Sequence, residues 1–181
     1  AQGGHGRDSA APARPRLRGG VLISSIHLDG LLDDREWSRA DPSDNRVQVE
    51  PGERVPPTAR TVVRVLTAGE AMIFGVRADD PEPEHIVSYA RQRDAPLDNE
   101  DHIKIVLDTY LDGRSGYVFA VNPNGARYDA LVTNQGGDEN VNWDAVWEAA
   151  TVRTSSGWSA EIRIPLKSLL FRPGLAEWGF T

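Results

Sequence analysis

The run Asp138-Glu139-Asn140-Val141-Asn142-Trp143-Asp144 gathers the chemistry that this chain offers most openly. An indole set among carboxylates and carboxamides can stack on the C–H face of a pyranose ring while the polar groups take its hydroxyls, because ligand sites combine apolar walls with a few aimed polar groups. Trp143 is one of five tryptophans, and it is the one placed within a long polar stretch. Recognition residues concentrate on such loops. Tyr128, Arg91, Arg93 and Asn122, near strand ends, are further candidates for contact with the same ligand. Asp138, Asn140, Asn142 and Asp144 also alternate in the manner of oxygen ligands for calcium. Trp143 where an EF-hand needs glycine, and Ala149 where it needs glutamate, exclude that motif. A generic calcium loop and a plain solvated loop both remain, and Asp108 and Asp112 beside the Gly113-Arg114-Ser115-Gly116 turn carry the same two readings.

Other chemistries find less support. Glu148 and Glu161 are the carboxylates that a glycosidase would need as acid and base. Both stand at positions expected to face away from apolar neighbours, so they read as solvent-facing strand residues. No Gly-x-Ser-x-Gly elbow is present, and His5, His27, His85 and His102 are scattered rather than paired. The absence of cysteine removes disulfides, zinc–thiolate sites and thiol nucleophiles together. A net charge of −7, with no aromatic residues interleaved in a basic patch, argues against a nucleic-acid partner. No apolar run approaches the ~18 residues of a membrane helix.

Strands must position these groups. Ile103, Ile105 and Leu107 alternate with polar residues, as do Tyr117, Phe119 and Val121 after the intervening turn, and Asn122-Pro123-Asn124-Gly125 ends the second run. A period of two bounded by Gly, Asn and Pro marks half-buried antiparallel strands. Further strands are predicted at 26–30, 61–67, 71–78, 127–133, 146–153 and 158–164, with a tight link at Ala68-Gly69-Glu70. Short helical turns are predicted at 33–37, 84–93 and 166–171, and a proline-rich loop at 41–59. Short strands at this spacing predict an all-β fold, an antiparallel β-sandwich with one or two short helices. Within it Trp158 shares parity with Ala160, Ile162 and Ile164 and belongs to the core, Trp37 pins its turn to a sheet, Trp178 lies in a last strand, and the face of Trp147 is ambiguous. Residues 1–20, rich in Gly, Ala, Pro and Arg, read as a flexible basic leader. The start Ala-Gln-Gly-Gly fits cleavage behind a signal peptide and equally an arbitrary start. The end at Trp178-Gly179-Phe180-Thr181, inside a predicted strand, suggests that 21–181 is a sandwich cut short at its C-terminus.

Several phrases occur in the order that they take in family 9 carbohydrate-binding modules. They are Ile26-His27-Leu28-Asp29-Gly30-Leu31-Leu32-Asp33-Asp34-Arg35-Glu36-Trp37, Arg93-Asp94 with Asp101, Leu107-Asp108-Thr109-Tyr110, and Gly116-Tyr117-Val118-Phe119-Ala120-Val121-Asn122-Pro123. Asn142-Trp143-Asp144-Ala145-Val146-Trp147, Gly157-Trp158-Ser159-Ala160-Glu161-Ile162-Arg163-Ile164-Pro165 and Trp178-Gly179 complete the set. The chain resembles that family across residues 21–181, and in particular the module at the N-terminus of large exported bacterial proteins. The resemblance implies a β-sandwich of jelly-roll or DOMON-like form, export to the periplasm, outer membrane or exterior, calcium as a cofactor, and non-catalytic binding of polysaccharide or oligosaccharide. It also implies two alternatives. One is a structural adaptor for a downstream β-rich, membrane-associated domain. The other is a haem-binding electron-transfer sandwich with Met72 as axial ligand, although Met72 shares parity with Phe74 and Val76 and reads as core.

Overall fold

The computed structural model describes residues 16–43 and 59–181. Its strands are β1 (Gly20–Val21), β2 (Thr61–Ala68), β3 (Ala71–Asp79), β4 (Ile103–Asp108), β5 (Gly116–Val121), β6 (Arg127–Thr133), β7 (Asp138–Asn140), β8 (Glu148–Thr154), β9 (Gly157–Pro165) and β10 (Gly179–Phe180). One sheet has the order β1-β2-β3-β9-β8 and the other β10-β4-β5-β6-β7. All neighbours are antiparallel except β1 and β2. The predicted leader lies mostly outside the described residues, as does most of the proline-rich loop.

Alternation along the strands decides what is buried between the sheets. Val63, Val65, Phe74, Val76, Trp158, Ala160, Ile162 and Ile164 from the first sheet meet Ile105, Leu107, Tyr117, Phe119 and Val121 from the second. Burying each large apolar side chain contributes ~1.5–3 kcal/mol. Trp158 is in the core as its parity requires, and Trp147 joins it. Met72 packs against the same cluster, which leaves the axial-ligand reading without geometric support.

Both outer faces are covered by irregular chain. Residues 22–40 lie over the first sheet, where Trp37 packs with Leu66 and Ile73. The predicted strand at 26–30 is not formed. The backbone N–H groups of Asp29 and Gly30 instead donate to Glu161 Oε2 at 2.9 and 3.0 Å, and the Trp37 indole donates to Oε1 at 3.0 Å. Glu161, expected at the solvent, is therefore fully buried beneath this segment. Its strand parity does face away from the core, but the covering chain excludes water, and burial pushes its carboxyl above the usual range despite the three donors. Gly75, its cross-strand partner, leaves room for the cover: a Cβ there would lie 2.4 Å from Leu32 and 2.6 Å from Trp37.

Residues 86–101 cover the second sheet, with Leu97 and Ala90 packed near Ala120 and Ala126. The helix predicted at 84–93 is reduced to one 3-10 turn, Pro83–His85. The competing bonds are visible: Val87 N–H donates to the Asp101 carboxylate at 2.7 Å, and Tyr89 and Ala90 N–H donate to Glu100 at 2.6 and 3.0 Å. Side-chain acceptors that claim backbone donors in this way displace helix. The other predicted helical segments are likewise single 3-10 turns, Arg35–Arg39 and Leu166–Ser168. No helix among the described residues is long and apolar enough to cross a membrane.

Candidate functional site

Strand β7 pairs only with Leu131, Val132 and Thr133, so the first half of β6 keeps an edge without a neighbouring strand. Chain from two directions closes it. Asp94, at a positive φ of 60°, donates its N–H to the Arg127 carbonyl at 2.8 Å. From the other side comes the loop that carries Trp143, Asp144 and Ala145.

Asp129 holds the two together. It is fully buried in the middle of β6, with the inward parity of Phe119 opposite it. Its Oδ1 accepts Arg93 Nη2 at 2.6 Å and the Trp147 indole N–H at 3.0 Å, and its Oδ2 accepts the Ala145 N–H at 2.6 Å. Arg93 Nη2 also donates to the Ala145 carbonyl and meets Asp144 Oδ1, both at 3.0 Å. Arg93 Nε lies 3.4 Å from Asp94 Oδ2. Arg127 completes the corner by donating to the Trp147 carbonyl, with its guanidinium 5.6 Å from the Trp147 ring centroid. A buried carboxylate is stable only when paired and hydrogen-bonded, and these donors meet that requirement.

The structure brings Trp143 and Arg93 to this corner. The Trp143 ring is half-buried, 4.9 Å from the Tyr117 ring and 6.1 Å from Phe119. It is thus seated on the core by one face rather than surrounded by polar groups. Beside it the side chains of Asp144 and Asp94 stay 75% and 40% exposed, and that of Arg93 30% exposed. An aromatic edge bordered by a guanidinium and two accessible carboxylates can stack on a sugar ring and hydrogen-bond its hydroxyls in both senses.

The remaining candidates are separated from it. Tyr128 lies on the opposite face of the second sheet, with the parity of Ala120. Burial pushes its phenol up to about 12, reinforced by the hydrogen-bonded Glu139 carboxylate. Arg91 is exposed. The expectation for Asn122 is corrected. Fully buried, it donates its amide to the Ala90 carbonyl and Glu100 and accepts the Asn124 and Ala126 N–H groups, which leaves no surface for a ligand. That network also holds Glu100: burial would raise its carboxyl, but the Tyr89, Ala90 and Asn122 donors outweigh it and lower the net value.

The alternating oxygen groups at 138–144 do not converge. Asp138 accepts the Asn134 amide, Asn140 accepts the Asn142 N–H, and Asp144 faces Arg93. Asp108 and Asp112 serve their own turn: Asp108 accepts the Gly113 N–H, and Asp112 accepts those of Arg114 and Ser115, whose bonds lower its carboxyl. Among the described residues the acidic oxygens that do approach one another, within 4.8 Å, belong to Asp94, Asp129 and Asp144. Arg93 is their shared counter-charge. Of the two strand glutamates, Glu148 is exposed beside Arg163 and Glu161 is buried, so they do not share a cleft as an acid–base pair would.

Sequence reasoning missed Asp129, although a signal was present. In Arg127-Tyr128-Asp129-Ala130-Leu131 a carboxylate stands at the parity of Leu131, where a core residue belongs. A charged residue at a core position needs a buried partner.

Against known structures, the fold is similar to a family 9 carbohydrate-binding module from Caldicellulosiruptor kristjanssonii. In the structure solved in complex with glucose, identity is 17%, 88% of this chain and 73% of that chain are covered, and the TM-score is 0.58. In the one solved in complex with cellotriose, identity is 18%, coverage is 90% and 74%, and the TM-score is 0.57. The chain therefore has the β-sandwich fold of those modules. No protein-family model matches it, and no curated protein matches it.

Proposed function

We propose that this chain is a non-catalytic carbohydrate-binding module of an exported protein, taking glycan at the β6 edge with Trp143 as stacking ring and Arg93, Asp94 and Asp144 as hydroxyl partners. The observation that carries the reading is the seating of that ring beside three accessible charged groups, all organised by buried Asp129. The likeness to modules solved with glucose and cellotriose supports the ligand class. Rigidity supports it as well, since a preorganised site loses less entropy on binding.

Affinity electrophoresis through gels containing hydroxyethylcellulose, xylan or starch tests this. Retardation of the wild type by at least one glycan, with W143A weakened about tenfold as expected for a lost stacking contact, is the supporting result. A folded wild type retarded by none of them would sink the proposal.

A further inference from the structure

Beside the Trp143 corner, at the end of the sandwich that carries the 108–116 turn, a second aromatic pair faces outward. Phe171, 40% exposed, and half-buried Trp178 place their rings 5.4 Å apart and tilted by 44°. The segment that presents them is tied down at several points. Leu170 N–H donates to the Tyr117 hydroxyl at 2.9 Å, Thr109 Oγ1 donates to the Leu170 carbonyl at 2.7 Å, and Arg172 N–H donates to the Thr109 carbonyl at 3.2 Å. Ser168 Oγ reaches the Val146 carbonyl at 2.9 Å, which joins this segment to the Trp143 loop itself. Trp178 is fixed from its C-terminal side, because Gly179 and Phe180 pair with Asp108 and Leu107 in β10.

Tyr117 links the two aromatic groups. Its ring supports Trp143 at 4.9 Å, and its hydroxyl accepts the amide of the residue next to Phe171. Both platforms therefore sit at one end of the sandwich on a common buried support, with their distance set by the core rather than by loop motion. Exposed rings held by this many backbone bonds are preorganised for contact.

We propose that Phe171 and Trp178 form a second carbohydrate-stacking platform, so that the chain grips an extended glycan across two points and not a single terminal sugar. This rests on the sugar-binding reading of the Trp143 corner. The chemistry that fits is an unbranched chain of β-linked, mostly equatorial pyranoses, whose rings present apolar C–H faces along their length. Two linked contacts raise affinity for a chain long enough to reach both, because the second becomes intramolecular.

Calorimetry with cellohexaose and with glucose, on the wild type, F171A, F171Y and W143A, tests the proposal. The expected pattern is a loss of about three- to tenfold in cellohexaose affinity for F171A, no change for glucose, and recovery in F171Y, which keeps the ring. Near-UV circular dichroism identical to wild type shows that the F171A core is intact. Cellohexaose binding that is equal in F171A and wild type would overturn the second platform while leaving the Trp143 site standing. A wild type that binds neither sugar would overturn the sugar-binding reading, and this inference with it. Concentration-dependent dimerisation abolished by F171A, with cellohexaose affinity unchanged, would assign the pair to self-association and overturn the proposal.

Discussion

Glu161 allows the reasoning to be tested on a single carboxylate. Its two oxygens accept the Asp29 and Gly30 N–H groups and the Trp37 indole, and the residue has no exposed surface. Replacement by alanine orphans the buried Gly30 and Trp37 donors and frees that of Asp29. At about 1–3 kcal/mol per buried unsatisfied donor, E161A should lose roughly 3–5 kcal/mol, a large part of the ~5–15 kcal/mol that holds a domain of this kind folded. E161Q keeps the volume and one acceptor oxygen, turns an N–H donor towards another donor, and should lose about 1–3 kcal/mol. The pH dependence carries a sign. Burial raises the folded-state pKa of Glu161 above its unfolded value, so its contribution is full below the unfolded pKa and is lost as pH rises through the folded one. The gap between wild type and E161Q should therefore be widest near pH 4 and narrow towards neutrality, since the other carboxylates are common to both proteins. Urea unfolding followed by tryptophan fluorescence at several pH values measures it. A loss below about 1 kcal/mol in E161A, well under the cost of one orphaned donor, would refute the argument. A gap that widens as pH rises would refute its electrostatic part.

Two further substitutions probe neighbouring parts. G75A drives a Cβ to within 2.4 Å of Leu32 and 2.6 Å of Trp37; Leu32 can rotate away, but the hydrogen-bonded indole cannot, so overpacking should cost about 1–3 kcal/mol in urea unfolding while glycan retardation persists. D129A removes the acceptor of the Trp147 indole, the Ala145 amide and Arg93 at once. It should lower stability by about 2–5 kcal/mol and raise hydrogen exchange at Ala145, with D129N intermediate; an unchanged exchange rate would show that the loop does not depend on this carboxylate.

Strand parity made the sandwich legible because period two is a local property: each run from Ile103 to Leu107 or Tyr117 to Val121 declares its buried face without reference to any other segment. What covers the outer faces was not legible by the same rule. Glu161 alternates away from the core as a solvent residue would, and only the return of Asp29, Gly30 and Trp37 from far along the chain buries it. The predicted helix at 84–93 failed for a related reason, since Glu100 and Asp101 lie beyond the window in which periodicity is read, yet their carboxylates take the amides that a helix would use. Asn122 and Trp143 show the same limit at the site. Polarity near a strand end suggested ligand contact for both, whereas one is consumed by its own loop and the other is half-seated on Tyr117. The covering segments are thus held by buried polar hubs, Glu161 on one sheet, Glu100 with Asn122 on the other, and Asp129 at the β6 edge. The hub at that edge is the one whose donors include the accessible Arg93, so the chemistry that secures the fold there also sets out the groups that a ligand would meet.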